Sequence, residues 1–200
     1  MIQVVLLSVF IVTCSAPHIF AGAGMGEVDF SADMVMKSEG QQMQSTLFVS
    51  GQKSRMQSQM GTMIVRSDKN VSWMIMQNEQ MYMENPINPK QTPKTSREMP
   101  GETERVLIGE ESINGKMAKK FKVTYVENGN QTSAYQWIAD EFPIPVKMEA
   151  LDGSWMVEYQ NIKLGKQPDI LFEVPQGYQK FAIPNMGDLL QGFAGRQAGE

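Results

Sequence analysis

The chain has one cysteine and one histidine, and both, Cys14 and His18, fall before its first charged residue, Glu27. A mature chain beginning beyond them has no thiol and no imidazole. Disulfides, cysteine and histidine nucleophiles, and the commonest zinc and Cu(II) ligand are then all missing. Most hydrolase chemistries go with them. Adjacent carboxylates do occur, at Glu110-Glu111 and Asp140-Glu141. Neighbours on a strand point to opposite faces, so neither pair forms an acid–base dyad, and both read as solvated charge. An excess of positive charge is also lacking: 18 basic residues face 22 acidic ones, for a net charge of -4. Such a chain is a poor nucleic-acid binder. The apolar run from Val4 to Thr13 falls short of the about 20 residues a spanning helix needs. Followed by Ala21-Gly22-Ala23, it reads as a secretory signal peptide over residues 1–23, although no Lys or Arg stands near Met1. Cys14, after Ile11-Val12-Thr13, sits where a lipoprotein box would, so lipidation and membrane anchoring are the alternative.

What the chain has instead is methionine, 17 in 200 residues. The stretch Val71 to Met76 shows how they are used. As a strand it points Val71, Trp73 and Ile75 one way and Met74 and Met76 the other, so both faces are apolar. A strand of that kind belongs in a core or beside a cavity. Before it, Val28, Phe30, Ala32, Met34 and Met36 alternate with polar residues up to a turn at Ser38-Glu39-Gly40, and Met43, Leu47 and Val49 return. Met56, Met60, Met63 and Val65 point inward from the next pair, with Arg55, Gln57, Gln59, Ile64 and Arg66 on the other face. After it, Gln77 to Gln80 turn into Met81-Tyr82-Met83.

Residues 85–101 hold Pro86, Pro89, Pro93 and Pro100 and read as a long exposed loop, a connector or a lid. Strands then resume. Asn114-Gly115, Asn128-Gly129 and Asp152-Gly153 are hairpin turns between alternating runs. Strands joined in sequence this way predict an up-and-down antiparallel sheet occupying residues 24–184 as one mainly β domain. Phe172 to Tyr178 is expected to lie along a sheet edge. Residues 185–200 form a C-terminal segment, with a short amphipathic helix at Met186 to Ala194 and a frayed end.

Several phrases in order resemble an uncharacterised bacterial family of exported domains related in fold to the lipoprotein carriers LolA and LolB. They are Lys53-Ser54-Arg55, Arg66-Ser67-Asp68-Lys69, Trp73 with Tyr82, Gly109 to Gly115, Pro145-Val146-Lys147, and Leu171 to Tyr178. The resemblance implies a curved antiparallel sheet, a LolA-like half-barrel with an apolar concave face partly covered by helices or loops. The carriers' own motifs have no counterpart in this chain, and a Pro-rich loop stands where a helical lid is expected. Fold and ligand class transfer; carrier activity does not.

The leading expectation is a non-enzymatic periplasmic protein that binds or carries a lipid or another apolar molecule and needs no cofactor. Met34, Met36, Met63, Met74, Met76, Met81 and Met83, with Trp73 and Tyr82, would line the site, because methionine repacks around varied apolar shapes. Arg55 and Arg66 are head-group candidates at its mouth. The same methionines also suit a core that binds nothing. Two further readings stay open. One is an envelope scaffold whose partner is another protein, with membrane contact transient or through a lipidated Cys14. The other is Cu(I) held by thioethers of Met34, Met36, Met74, Met76, Met81 and Met83.

Overall fold

The structure, a computed structural model, describes residues 28–88, 97–127 and 129–181. The segment read as a signal peptide, Cys14, the middle of the Pro-rich loop and the helix read at Met186 to Ala194 lie outside the described residues.

Period-two alternation and tight turns produce two meanders. The first is β1 (Phe30–Ser38), β2 (Gln41–Ser50), β3 (Lys53–Ser58), β4 (Gly61–Arg66), β5 (Val71–Met76) and β6 (Met81–Pro86). The second is β7 (Glu102–Ile113), β8 (Lys116–Glu127), β9 (Asn130–Ile138), β10 (Lys147–Ala150) and β11 (Trp155–Leu164). Turn chemistry follows the residues: Asn114 and Gly115 have φ of 50° and 76°, the doubly left-handed geometry that matches strand twist in a two-residue hairpin. β6 runs to Pro86, past the predicted strand end, and the proline sits at the strand's last position, where its missing N–H costs least.

One long-range pairing joins the meanders. β1 lies antiparallel to β11, with Met34 opposite Tyr159 and Met36 opposite Val157. The register shifts between Ser31 and Asp33, where Asn161 takes a φ of 50° and its side-chain amide donates to Asp33 Oδ2 at 2.8 Å. The result is a single open, curved antiparallel sheet of 12 strands, a half-barrel in the order β12-β6-β5-β4-β3-β2-β1-β11-β10-β9-β8-β7. Its last member, β12 (Gln179–Lys180), adds two residues in parallel to the β6 edge.

The seam holds the main core. Phe30, Ala32, Met34 and Met36 of β1 pack with Leu47, Val49, Met148, Val157 and Tyr159, and Ile144 from the β9–β10 connection joins them. These residues share one surface of the sheet, called here the methionine face. On the second meander this face is closed. Met99, from the end of the Pro-rich loop, packs on Val123, Tyr125 and Ala134, while Arg105 lies over the Phe121 ring at 5.1 Å and donates to Gln136 Oε1 at 2.7 Å.

The opposite face of the first meander is closed by the C-terminal segment. A 3-10 turn at Asp169–Phe172 and the residues after it form a strap, which packs Phe172, Leu171, Val174 and Tyr178 against Ile64, Trp73, Ile75 and Tyr82. The expectation that Phe172 to Tyr178 follows a sheet edge is therefore corrected. The segment crosses the face, because the apolar side chains of β4 and β5 there need covering, and the chain reaches the β6 edge at Gln179 to Phe181.

Candidate functional site

Strand register converts scattered methionines into a line. Met56 pairs with Met63, Met63 with Met74, and Met74 with Met83. Leu47 opposite Met56 and Ala32 opposite Leu47 extend the row across β1 and β2. All six side chains leave the methionine face, since directly paired residues point the same way. The row runs at right angles to the strands.

Its two ends differ. Ala32 and Leu47 are buried at the seam, whereas Met56, Met63, Met74 and Met83 are half-buried. With strands about 4.8 Å apart, the half-open part from β3 to β6 is about 14 Å long. One flank carries Ser54, Val65, Ser72 and Asn85, paired in sequence across the same strands. The other carries Ser58 opposite Gly61, and then Met76 opposite Met81. A narrow apolar stripe is thus bordered mostly by small residues. Near its inner end lies Ser45, which pairs with Met34 and Ser58. Ser45 is only 7% exposed, and its hydroxyl has no hydrogen-bond partner among the described residues.

The nominated residues divide between two faces. Met34 and Met36 belong to the seam core; Met63, Met74, Met76, Met81 and Met83 belong to the half-open surface. Trp73 and Tyr82 lie on the opposite face under the strap, where Trp73 Nε1 donates to Glu84 Oε2 at 3.0 Å. Met60, read as inward, is instead a turn residue with 81% exposure, because β3 ends at Ser58. Met56 and Met43 were not nominated. Hairpin arithmetic would have found Met56, which stands as far before the Ser58 to Gly61 turn as Met63 stands after it.

Arg55 and Arg66 are engaged by the strap. Arg55 Nη1 donates to the Leu171 carbonyl at 3.1 Å. Arg66 is buried and donates to Asp68 through Nε at 2.8 Å and Nη2 at 2.7 Å, to the Phe172 carbonyl at 3.2 Å, and to the Glu173 carboxylate. Hydrogen bonding from Arg66 holds the Asp68 carboxyl below the usual range. Burial raises that of Glu173, but hydrogen bonds from Arg66 and Lys69 outweigh it and the net shift is downward. These cations face away from the methionine stripe, and they fix the strap rather than stand free at a cavity mouth.

No charged side chain borders the stripe on β4 to β6, where its flanks are Val65, Ser72, Asn85, Gly61, Met76 and Met81. At the seam, burial pushes the Tyr159 phenol up to about 12. A shallow polar cleft of about 370 Å³ opens elsewhere, among Asp29, Ser50, Gly51, Gln52, Lys53 and Asp68. Among the described residues, β3 to β6 therefore present a neutral, apolar, half-open strip.

The described chain is thus an open, curved antiparallel sheet, closed on one face of its first meander by its own C-terminal segment and carrying an apolar strip on the other. Residues 25–141 match the family described as Domain of unknown function (DUF4412), and the chain belongs to that family. No curated protein matches it. Among solved structures it is similar to MucB in complex with MucA(peri), at 13% identity over 80% of this chain and 58% of that one, with a TM-score of 0.49. It is similar also to LprF from Mycobacterium bovis, at 10% identity over 75% of this chain and 90% of that one, with a TM-score of 0.45. The lipoprotein LppX from Mycobacterium tuberculosis shows 12% identity over 72% and 89%, with a TM-score of 0.42. The chain spans a little over half the length of MucB.

Proposed function

We propose that this protein is a non-enzymatic binding protein of the cell envelope that takes a single acyl chain, or an apolar molecule of similar width, along the methionine face of β3 to β6. The observation that carries this reading is the in-register row Met56–Met63–Met74–Met83, half-open on one face of a sheet whose other face the strap covers.

Dimensions and chemistry support it. A bilayer core of about 30 Å is two acyl chains deep, so one chain reaches about 15 Å, close to the about 14 Å of the strip. The flanks are too small to bury a second chain. Four unbranched thioethers adapt to a flexible hydrocarbon better than branched side chains do. The hydroxyl of Ser45 matches an ester or amide carbonyl at one end, and supplying that partner offsets the about 1–3 kcal/mol cost of burying an unpaired polar group.

The test is native mass spectrometry of the protein purified gently from the envelope of its source, followed by denaturing extraction of whatever it releases. An acyl lipid near one-to-one ratio is expected in the wild type and absent from a folded Met63→Glu, Met74→Glu variant. Both positions are half-exposed, so the carboxylates remain hydrated and the sheet survives. Apo masses from repeated preparations, with added fatty acid also failing to bind, would refute the reading.

A further inference from the structure

We propose that the β5–β6 hairpin is a thioether site for Cu(I). Two Met-x-Met segments, Met74-Ile75-Met76 and Met81-Tyr82-Met83, are antiparallel neighbours, with Met74 opposite Met83 and Met76 opposite Met81. The strand period of two sends all four side chains to the methionine face, while Ile75 and Tyr82 go to the strap face. Directly opposed positions place Cβ atoms about 5 Å apart, and same-face neighbours along a strand lie about 7 Å apart. The thioethers therefore start from the corners of a small rectangle. Three rotatable side-chain bonds let each methionine bring its sulfur toward a common centre. Met63, opposite Met74, adds a fifth sulfur beside the rectangle.

The donor set decides the ion. On this face the remaining strand side chains are Ser72 and Asn85, with Gln179 of β12 paired beside Met81, and no Asp, Glu, Lys or Arg stands among them. A neutral, sulfur-only group selects a soft, singly charged ion, and Zn(II), Mg(II) and Ca(II) lack the nitrogen, thiolate or oxygen ligands they require. The four methionines are half-buried, so an ion reaches them from solvent.

The rest of this face mixes methionine with other apolar residues. On β1 and β2 it carries Ala32, Leu47 and Val49 beside Met34 and Met36. What sets the hairpin apart is methionine at each of the four positions that face one another. The copper site is thus a property of the sulfur atoms, and an acyl-chain strip is a property of the apolar surface.

Leucine substitution separates the two, because Met→Leu conserves volume and hydrophobicity. The full chain would be titrated anaerobically with Cu(I) supplied as its acetonitrile complex, and in parallel with Ag(I) as a redox-inert analogue. We expect one ion per chain by native mass, sulfur neighbours alone by X-ray absorption, and no Zn(II) retained. The variant Met74→Leu, Met76→Leu, Met81→Leu, Met83→Leu should keep its circular dichroism spectrum and melting curve and lose the ion. Smaller variants, Met74→Leu with Met76→Leu or Met81→Leu with Met83→Leu, keep the test decisive if the quadruple change unfolds. A Met117→Leu control, at an exposed methionine outside the hairpin, should bind as wild type. No retained Cu(I), nitrogen or oxygen neighbours, or undiminished binding by a folded leucine variant would overturn the proposal. Acyl binding by the leucine variants is a separate reading: its persistence leaves the copper result to stand or fall alone.

Discussion

Replacing Phe172 by alanine tests whether the strap is held on the sheet by burial. Phe172 is 0% exposed and packs on Ile64, Trp73 and Ile75. Truncating a fully buried phenylalanine removes its transfer free energy and leaves a cavity, at a cost of about 3–5 kcal/mol. The polar anchors survive the change: the Lys53–Asp169 ion pair, Arg55 on the Leu171 carbonyl and Arg66 on the Phe172 carbonyl. The two arginines hold main chain and Lys53 holds the exposed Asp169 carboxylate, while the contact of Lys53 with the Phe172 ring at 5.5 Å is lost with the ring. The loss therefore falls on the contact between strap and sheet and appears as local opening before the sheet itself unfolds. Hydrogen exchange read by mass spectrometry on peptides covering 168–181 gives the result directly. A loss of about 3 kcal/mol corresponds to exchange about a hundredfold faster. Ile170→Ala serves as the control. It lies in the same 3-10 turn but is 74% exposed, and its cost should stay within about 0.5 kcal/mol. If Phe172→Ala exchanges at the wild-type rate, the strap is not held by this side chain and the reading of the closed face is wrong.

Two more outcomes follow from the structure. Asp68 and Glu173 both have carboxyl pKa values lowered on folding. Their contribution is full above the unfolded values of about 3.9 and 4.3, and it is lost as pH falls through the lower folded values. Exchange of the strap, corrected for the intrinsic rate, should rise in acid below about pH 4 and respond less to pH in Glu173→Gln; a flat profile in the wild type would count against the Arg66 anchor. Gly101→Ala should lower the melting temperature. The residue has a φ of +73°, and an added Cβ would sit 2.6 Å from the Val126 carbonyl oxygen, a combination costing at least about 1 kcal/mol. An unchanged melting curve would show that the segment carrying Met99 is not held as described.

Much of the molecule is legible from local pattern. Alternation at Phe30 to Met36 and again at Phe121 to Tyr125 gives strands and their buried sides, because side-chain direction repeats every two residues. Asn114-Gly115 gives a hairpin, because both residues tolerate positive φ. The division of Val71 to Met76 into a Trp73 and Ile75 face and a Met74 and Met76 face is a consequence of the same period. Even the pairing of Met74 with Met83 follows from a short turn between adjacent strands.

Tertiary structure alone decided the rest. No local signal tells β1 to lie beside β11, more than a hundred residues away, yet that pairing makes one curved sheet from two meanders. Nothing in their own neighbourhood shows that Arg55 and Arg66 meet Leu171, Phe172 and Glu173, since a cation on a polar strand face reads the same whether solvated or bound. The strap also settles which apolar face is spent. By covering Trp73 and Tyr82 it leaves the methionines as the half-open surface. Composition and periodicity are local properties and fix strands, turns and faces; partnership between distant segments depends on which buried surfaces remain to be matched once the chain has folded.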